Sequence, residues 1–335
     1  MKEAAKNPEK WELSPPYGVK TVLVVIAVFI FLSFSARHSD IDKMFYMLGE
    51  AGGKILGLTD SSQVVSGTGR VIDSMFPLRI SEETPVARIE NFDRDNLPFF
   101  SRVEIETIEV SRFNVQSMQL EVTEQSREIL VEPVGYVLYA MKKMVETIEI
   151  ALWATIFAII ISIPLAYYSA SNYSPNRLTY GTSRSLVSFF RAVPELISAM
   201  FLVLAFGFGP IAGILALGIH SAGFLGKFYA EDIENADRGP QEALQAIGAS
   251  KIKMLRYAVL PQVLPQYLAY SMYILDRNVR MATVVGIVGA GGIGQELKGR
   301  YDMFDYGHVG TILLLIFITV LLLDQIASRI RARLI

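Results

Sequence analysis

The 335-residue sequence has no cysteine, three histidines and two tryptophans. Without cysteine there can be no disulfide, no thiolate metal site and no cysteine nucleophile. His38, His220 and His308 lack metal-ligand spacing, so no metal site is expected. Charged residues make up 19% of the chain and the formal net charge is -2, which leaves no basic footprint for nucleic acid. A G-x-x-x-x-G-K-[ST] phosphate loop is also missing: Gly49 to Lys54 comes one residue short and is followed by Ile55. Apolar side chains are what the chain has in excess, at 52%, and they are bunched into runs that invite comparison with the roughly 20 residues needed to cross a bilayer.

Six such runs are read as spans, at about 21–36, 147–169, 186–207, 211–230, 266–288 and 309–328. Ser33-Phe34-Ser35 could end a secretory signal, but an uncleaved first span fits the topology better. Arg177 and Arg184, then Lys251, Lys253 and Arg256, then Arg329, Arg331 and Arg333 follow alternate spans. Short cytoplasmic loops collect Lys and Arg, so both termini and the 170–185 and 231–265 loops are expected in the cytoplasm. Residues 37–145 then form an extracytoplasmic insertion between the first two spans. Its alternating run from Val103 to Val110 reads as half-buried strand, and Met44–Leu58 as a short interfacial helix. Expected divisions are thus a terminus and first span (1–36), the insertion (37–145) and a core of five spans (146–335).

Glu231 to Pro265 is the most informative stretch. Asp237 can cap a short helix, Pro240 suits its first turn, and Gly248 ends it. Ser250 can cap a second helix that runs through basic residues to Pro261. Such a helical hairpin between spans suits docking and holds nothing for chemistry. Glu242-Ala243, then Gly248-Ala249, then Leu260-Pro261 twelve residues after Gly248, resembles the EAA loop of ABC importer permeases, with Leu244 and Ala258 departing from the commoner residues. The stretches at 189–196, 209–235 and 278–297 are similar to permeases of phosphonate and phosphite importers, over residues 145–330. The resemblance implies an all-α membrane protein of six transmembrane helices with the type I importer permease architecture, to which the composition adds the β-containing insertion. It implies a transport subunit and no enzyme. ATP and magnesium would be bound by a separate ATPase dimer, with an extracytoplasmic binding protein and a second copy of this chain as further partners, in a bacterial cytoplasmic membrane. Glu242, Ala243, Gly248, Ala249, Leu260 and Pro261 would couple to the ATPase.

Gly289-Ala290-Gly291-Gly292-Ile293-Gly294 satisfies the dinucleotide fingerprint in letters only, because no strand–helix–strand pattern surrounds it. At membrane depth, a glycine break either lines a passage, with N–H groups offered to an anion, or packs helices tightly. Gly289, Gly291, Gly292 and Gly294 are therefore candidate path residues, with Asn278 and Arg280 from the preceding span. Arg280 alternatively pairs with Asp276, and Arg191 is expected to pair with Glu195, both at i, i+4 spacing. His220 is read as a packed, hydrogen-bonded histidine. A methionine-type cargo and an ATP-independent secondary transporter are the rival readings. The latter lacks the repeated halves common in that class and leaves the hairpin unexplained.

Overall fold

The computed structural model describes residues 18–334 apart from 91, 95, 99 and 115–118. It resolves into two compact units, residues 1–74 and 75–335.

In the first unit, α1 (Val19–His38) is apolar on every side and buries no residue. A helix of that kind is stable only where its whole circumference meets an apolar medium. Helices α2 (Ile41–Ile55) and α3 (Gln63–Met75) are amphipathic, with Phe45, Leu48, Ile55, Val71 and Ile72 exposed. Helix α2 falls where a helix over Met44–Leu58 was expected, and α3 follows it as a second amphipathic helix.

The second unit begins with a three-stranded antiparallel sheet in the order β1 (Glu82–Pro85), β3 (Gln119–Glu132), β2 (Arg102–Asn114). The β2–β3 pairing runs from Arg102 opposite Val131 to Asn114 opposite Gln119. Helix α4 follows (Gly135–Ser169), starting well before the expected span at 147. Its 35 residues rise about 52 Å, which exceeds the ~30 Å hydrocarbon core and leaves turns beyond it. One stripe of α4 is small and buried: Ala140, Ala151, Ala154, Ala158, Ser162 and Ala166. It meets α7 (Pro210–Asn235), where a Cβ on Gly213 would lie 3.2 Å from Ile150 and one on Gly218 2.6 Å from Phe157, both of α4. Small residues let backbones approach closely where lipid offers no competing hydrophobic drive, and this is the most extensive helix pair in the structure.

The expected single span at 186–207 is two helices, α5 (Arg177–Ala192) and α6 (Glu195–Phe206), bent by 89°. Pro194 has no N–H and pushes Val193 out of helical geometry, so the chain turns there. After α7 come α8 (Arg238–Ala246), α9 (Lys251–Met254), a π-helical turn (Leu255–Val259) and α10 (Leu260–Gly286). The expected stop at Pro261 does not occur; the π-turn absorbs the prolyl ring and the helix continues into α10. Then α11 (Gly292–Asp302) and α12 (Tyr306–Leu334) end the described chain. Four described helices are long and apolar enough to span a bilayer, α1, α4, α7 and α12, or five when the bent α5–α6 pair is one span. Helix α10 is long enough but carries Asp276, Arg277 and Arg280.

The sheet is tied to the helices through α11 and α12. Arg300 sits over the Tyr136 ring at 4.7 Å and donates to Glu296 at 2.8 Å, with Glu82 and Asp305 each at 3.3 Å. His308 Nδ1 meets Asp305 at 2.6 Å and its Nε2 meets the Ser81 carbonyl at 3.2 Å. Thr311 donates to the Arg79 carbonyl at 2.7 Å. Burial pushes the Asp305 carboxyl up, but the hydrogen bond from His308 and the nearby Arg300 and Arg79 charges outweigh it and hold it below its ordinary value. A depressed carboxylate stabilises the folded state above its unfolded pKa of about 3.9, and that contribution is lost as pH falls through the lower folded value. Hydrogen-exchange protection at residues 79–84, measured against the intrinsic rate at each pH, should therefore fall in wild type as pH drops below about 4. Asp305→Asn should exchange fast already at neutral pH, with a flatter acid response; equal protection in both proteins would contradict the role given to Asp305.

Candidate functional site

The hairpin between α7 and α10 is exposed and its helices are short. Asp237 Oδ1 accepts from Gly239 N at 3.1 Å, so the expected cap forms. Gly248 adopts φ +79, the left-handed geometry that suits glycine after a helix end. Ser250 stands at the N-cap of α9 but makes no side-chain capping bond, contrary to expectation. Glu242 and Ala243 project from α8 into solvent, Gly248 is exposed and Ala249 half-buried, and Pro261 lies on the exposed first turn of α10 beside half-buried Leu260.

The hairpin is fastened to the spans rather than hung from them. Tyr173 donates to Gln241 at 2.9 Å, and Asp237 N donates to Gln262 at 2.9 Å. Glu234, at the end of α7, accepts from Arg184 at 2.9 Å and from Ser171 N at 2.7 Å, joining α5 and the α4–α5 connection to the same point. Deeper in, Tyr229 and Tyr267 stack at 3.8 Å, and Tyr267 donates to the Tyr229 carbonyl at 2.7 Å. These contacts were not legible in spacing, because the partners lie 25 to 68 residues apart.

Within the spans, the expected Arg191–Glu195 pair is absent. The turn between α5 and α6 puts the two residues on different helices, so i, i+4 spacing no longer places them on one face. Glu195 instead accepts from Arg277 of α10 and lies 3.1 Å from His220 Nε2 of α7. His220 Nδ1 donates to the Val193 carbonyl at 3.0 Å, a group released by the proline turn. His220 is thus packed and hydrogen-bonded. Arg191 and Arg277 both stand over the Phe224 ring, at 5.0 and 5.1 Å. Gly223 makes this possible: a Cβ there would lie 2.8 Å from the Arg191 side chain.

Asn278 is fully buried and bridges three helices, donating to Thr155 at 3.0 Å and accepting from Ser221 at 2.9 Å. Arg280 makes the two-pronged pair with Asp276, at 3.1 and 2.6 Å. The glycine loop is buried at Gly289, Gly291, Gly292 and Gly294. Gly292 N donates to Glu146 at 2.9 Å and Ile293 N to Thr147 at 2.8 Å, both on α4, so these two N–H groups are already engaged. A Cβ on Gly294 would lie 2.0 Å from the Thr283 carbonyl oxygen. The geometry supports the packing role of this loop: it folds α11 back against α10 and α4.

This is a core of long apolar helices with an exposed helical hairpin between two of them, the organisation of a transport permease. The profile described as the inner membrane component of binding-protein-dependent transport systems matches residues 162–334. A putative phosphite transport system permease, HtxE of Stutzerimonas stutzeri, is 57% identical over 261 residues, covering 78% of this chain and 100% of that protein. The phosphite transport permease PtxC of the same organism is 42% identical, covering 57% and 70%. The phosphate-import permease PhnE of Mycolicibacterium smegmatis is 42% identical, covering 57% and 36%. Among solved structures, the MetNI methionine ABC transporter in an inward-facing conformation aligns with TM-score 0.52 at 25% identity, covering 61% of this chain and 99% of that one. The chain belongs to the binding-protein-dependent transport permeases, multi-pass proteins of the inner membrane.

Gly294→Ala forces the tightest contact of the loop to open. We expect overpacking of about 1–3 kcal/mol, read as a lowered unfolding temperature of the detergent-purified protein. An unchanged transition would mean that the α10–α11 contact is looser than the geometry implies.

Proposed function

We propose that this chain is the permease subunit of an ATP-driven importer for phosphite- or phosphonate-type oxyanions. The observation that carries the cargo is the 57% identity to a putative phosphite permease along that protein's whole length. Two copies would enclose the passage, because six helices of one chain cannot surround it alone. Helix α10 would be the sixth span beside α1, α4, the bent α5–α6 pair, α7 and α12. Its charges do not argue against this, since Asp276 neutralises Arg280 and Glu195 neutralises Arg277 within the protein. Both termini and the α8–α9 hairpin would then face the cytoplasm, and the 37–145 insertion, with its sheet, would lie outside near the binding protein.

Coupling would run through Glu242, Ala243, Gly248, Ala249, Leu260 and Pro261 to a separate ATPase dimer that binds ATP and magnesium. Closure of the motor would move α8, and the Tyr173–Gln241, Glu234–Arg184 and Tyr229–Tyr267 contacts would carry that movement into α5, α7 and α10. Alternating access follows when the two copies rock together. Arg280, whose side chain stays 46% exposed, would stand along the passage. Asn278 and the buried glycines Gly289, Gly291, Gly292 and Gly294 would shape the passage by holding its helices.

The test is ATP hydrolysis by the complex purified with its ATPase and binding protein. Phosphite or a phosphonate should stimulate it, and Glu242→Ala should abolish stimulation while the complex still assembles. Stimulation by methionine, with none by phosphorus oxyanions, would replace the cargo while keeping the class.

A further inference from the structure

The charges in the membrane region balance at one place and fail to balance at another. Asp276 cancels Arg280 through two hydrogen bonds. Around Phe224 stand two arginines, Arg191 and Arg277, with a single carboxylate, Glu195. His220 adds no negative charge: its Nδ1 is committed as a donor to the Val193 carbonyl, which can only accept, and its Nε2 faces Arg277 at 3.1 Å. Arg191 has no ion pair among the described residues, and its Nε is buried with no hydrogen-bond partner. One positive charge of the cluster is therefore left over, and an unpaired cation within a membrane protein's spans as a rule faces a partner or a passage.

The arrangement is held from three sides. The turn at Pro194 brings Glu195 and the Val193 carbonyl to the cluster, the bare backbone of Gly223 admits Arg191, and α10 supplies Arg277. The cluster is not sealed as Asn278 is, since the Arg277 side chain remains 24% exposed. A guanidinium offers parallel N–H donors that match two oxygens of a phosphorus oxyanion.

We propose that Arg191 and Arg277 are an anion-accepting station on the passage, and that Glu195 is a tethered carboxylate that occupies Arg277 when cargo is absent. This rests on the oxyanion reading above. The anion takes the excess charge of Arg191 and displaces Glu195 from Arg277; the return of Glu195 then competes the anion off. A site that must release its ion needs such competition, because binding that is too tight blocks passage.

The test is phosphite uptake per ATP hydrolysed, in proteoliposomes holding the full complex with its binding protein. Arg191→Gln and Arg277→Gln should lower that ratio at least tenfold, while the loaded binding protein still stimulates ATP hydrolysis. Should either glutamine protein fail to assemble, Arg191→Lys and Arg277→Lys decide, since they keep the charge and lose the planar fork. Their ratio should fall at least threefold. Ratios equal to wild type in the variants that assemble would overturn the station and leave the oxyanion importer standing. A wild-type complex that moves methionine and no oxyanion would instead overturn the cargo, and the station with it.

Discussion

Glu195, held between Arg277 and His220, is the interaction on which the membrane part of this chain most depends. Water cannot solvate a charge or a broken helix inside a bilayer, so the protein must satisfy both internally. One carboxylate does this for the arginine of α10 and shares the histidine that takes up the free Val193 carbonyl at the α5–α6 turn. The turn in turn sets where α6 runs and where Arg191 meets Phe224. Three helices thus depend on one side chain, and a glutamine there would leave the half-buried Arg277 without its counter-charge.

The same economy links the docking hairpin to the centre of the membrane region. Helix α7 carries Glu234 and Tyr229 near the hairpin, and Phe224 and His220 about one and a half and two and a half turns beyond Tyr229. Its Gly213 and Gly218 lie close against α4, where a Cβ would meet Ile150 and Phe157. The displacement of α8 that the proposed coupling requires would meet close-packed helices there rather than soft packing. The mechanical reading of this family member therefore rests on backbone proximity and a few polar ties more than on any flexible joint.

The class of the protein was legible in its residues. Apolar runs at 147–169, 211–230 and 309–328 all fall within long helices, and Glu242, Gly248 and Pro261 stand on or beside an exposed hairpin. What spacing could not give was the direction of the chain at Pro194, so Arg191 and Glu195 were paired along a helix that is in fact broken. Spacing also could not show the π-turn that lets Pro261 sit within a continuing helix. The glycine run carried two readings, and the acceptors Glu146 and Thr147, some 146 residues away, together with the close approach of Gly294 to the Thr283 carbonyl, favour packing. The Phe224 cluster was invisible for the same reason: its members come from three separate segments.

The central claim is most directly tested by uptake of radiolabelled phosphite into bacterial cells that lack their own route for it, with this chain supplied together with its ATPase and binding protein. Accumulation that requires all three, and that unlabelled phosphonate or hypophosphite competes away, is the predicted result. Accumulation of labelled methionine without any of phosphite would contradict the account.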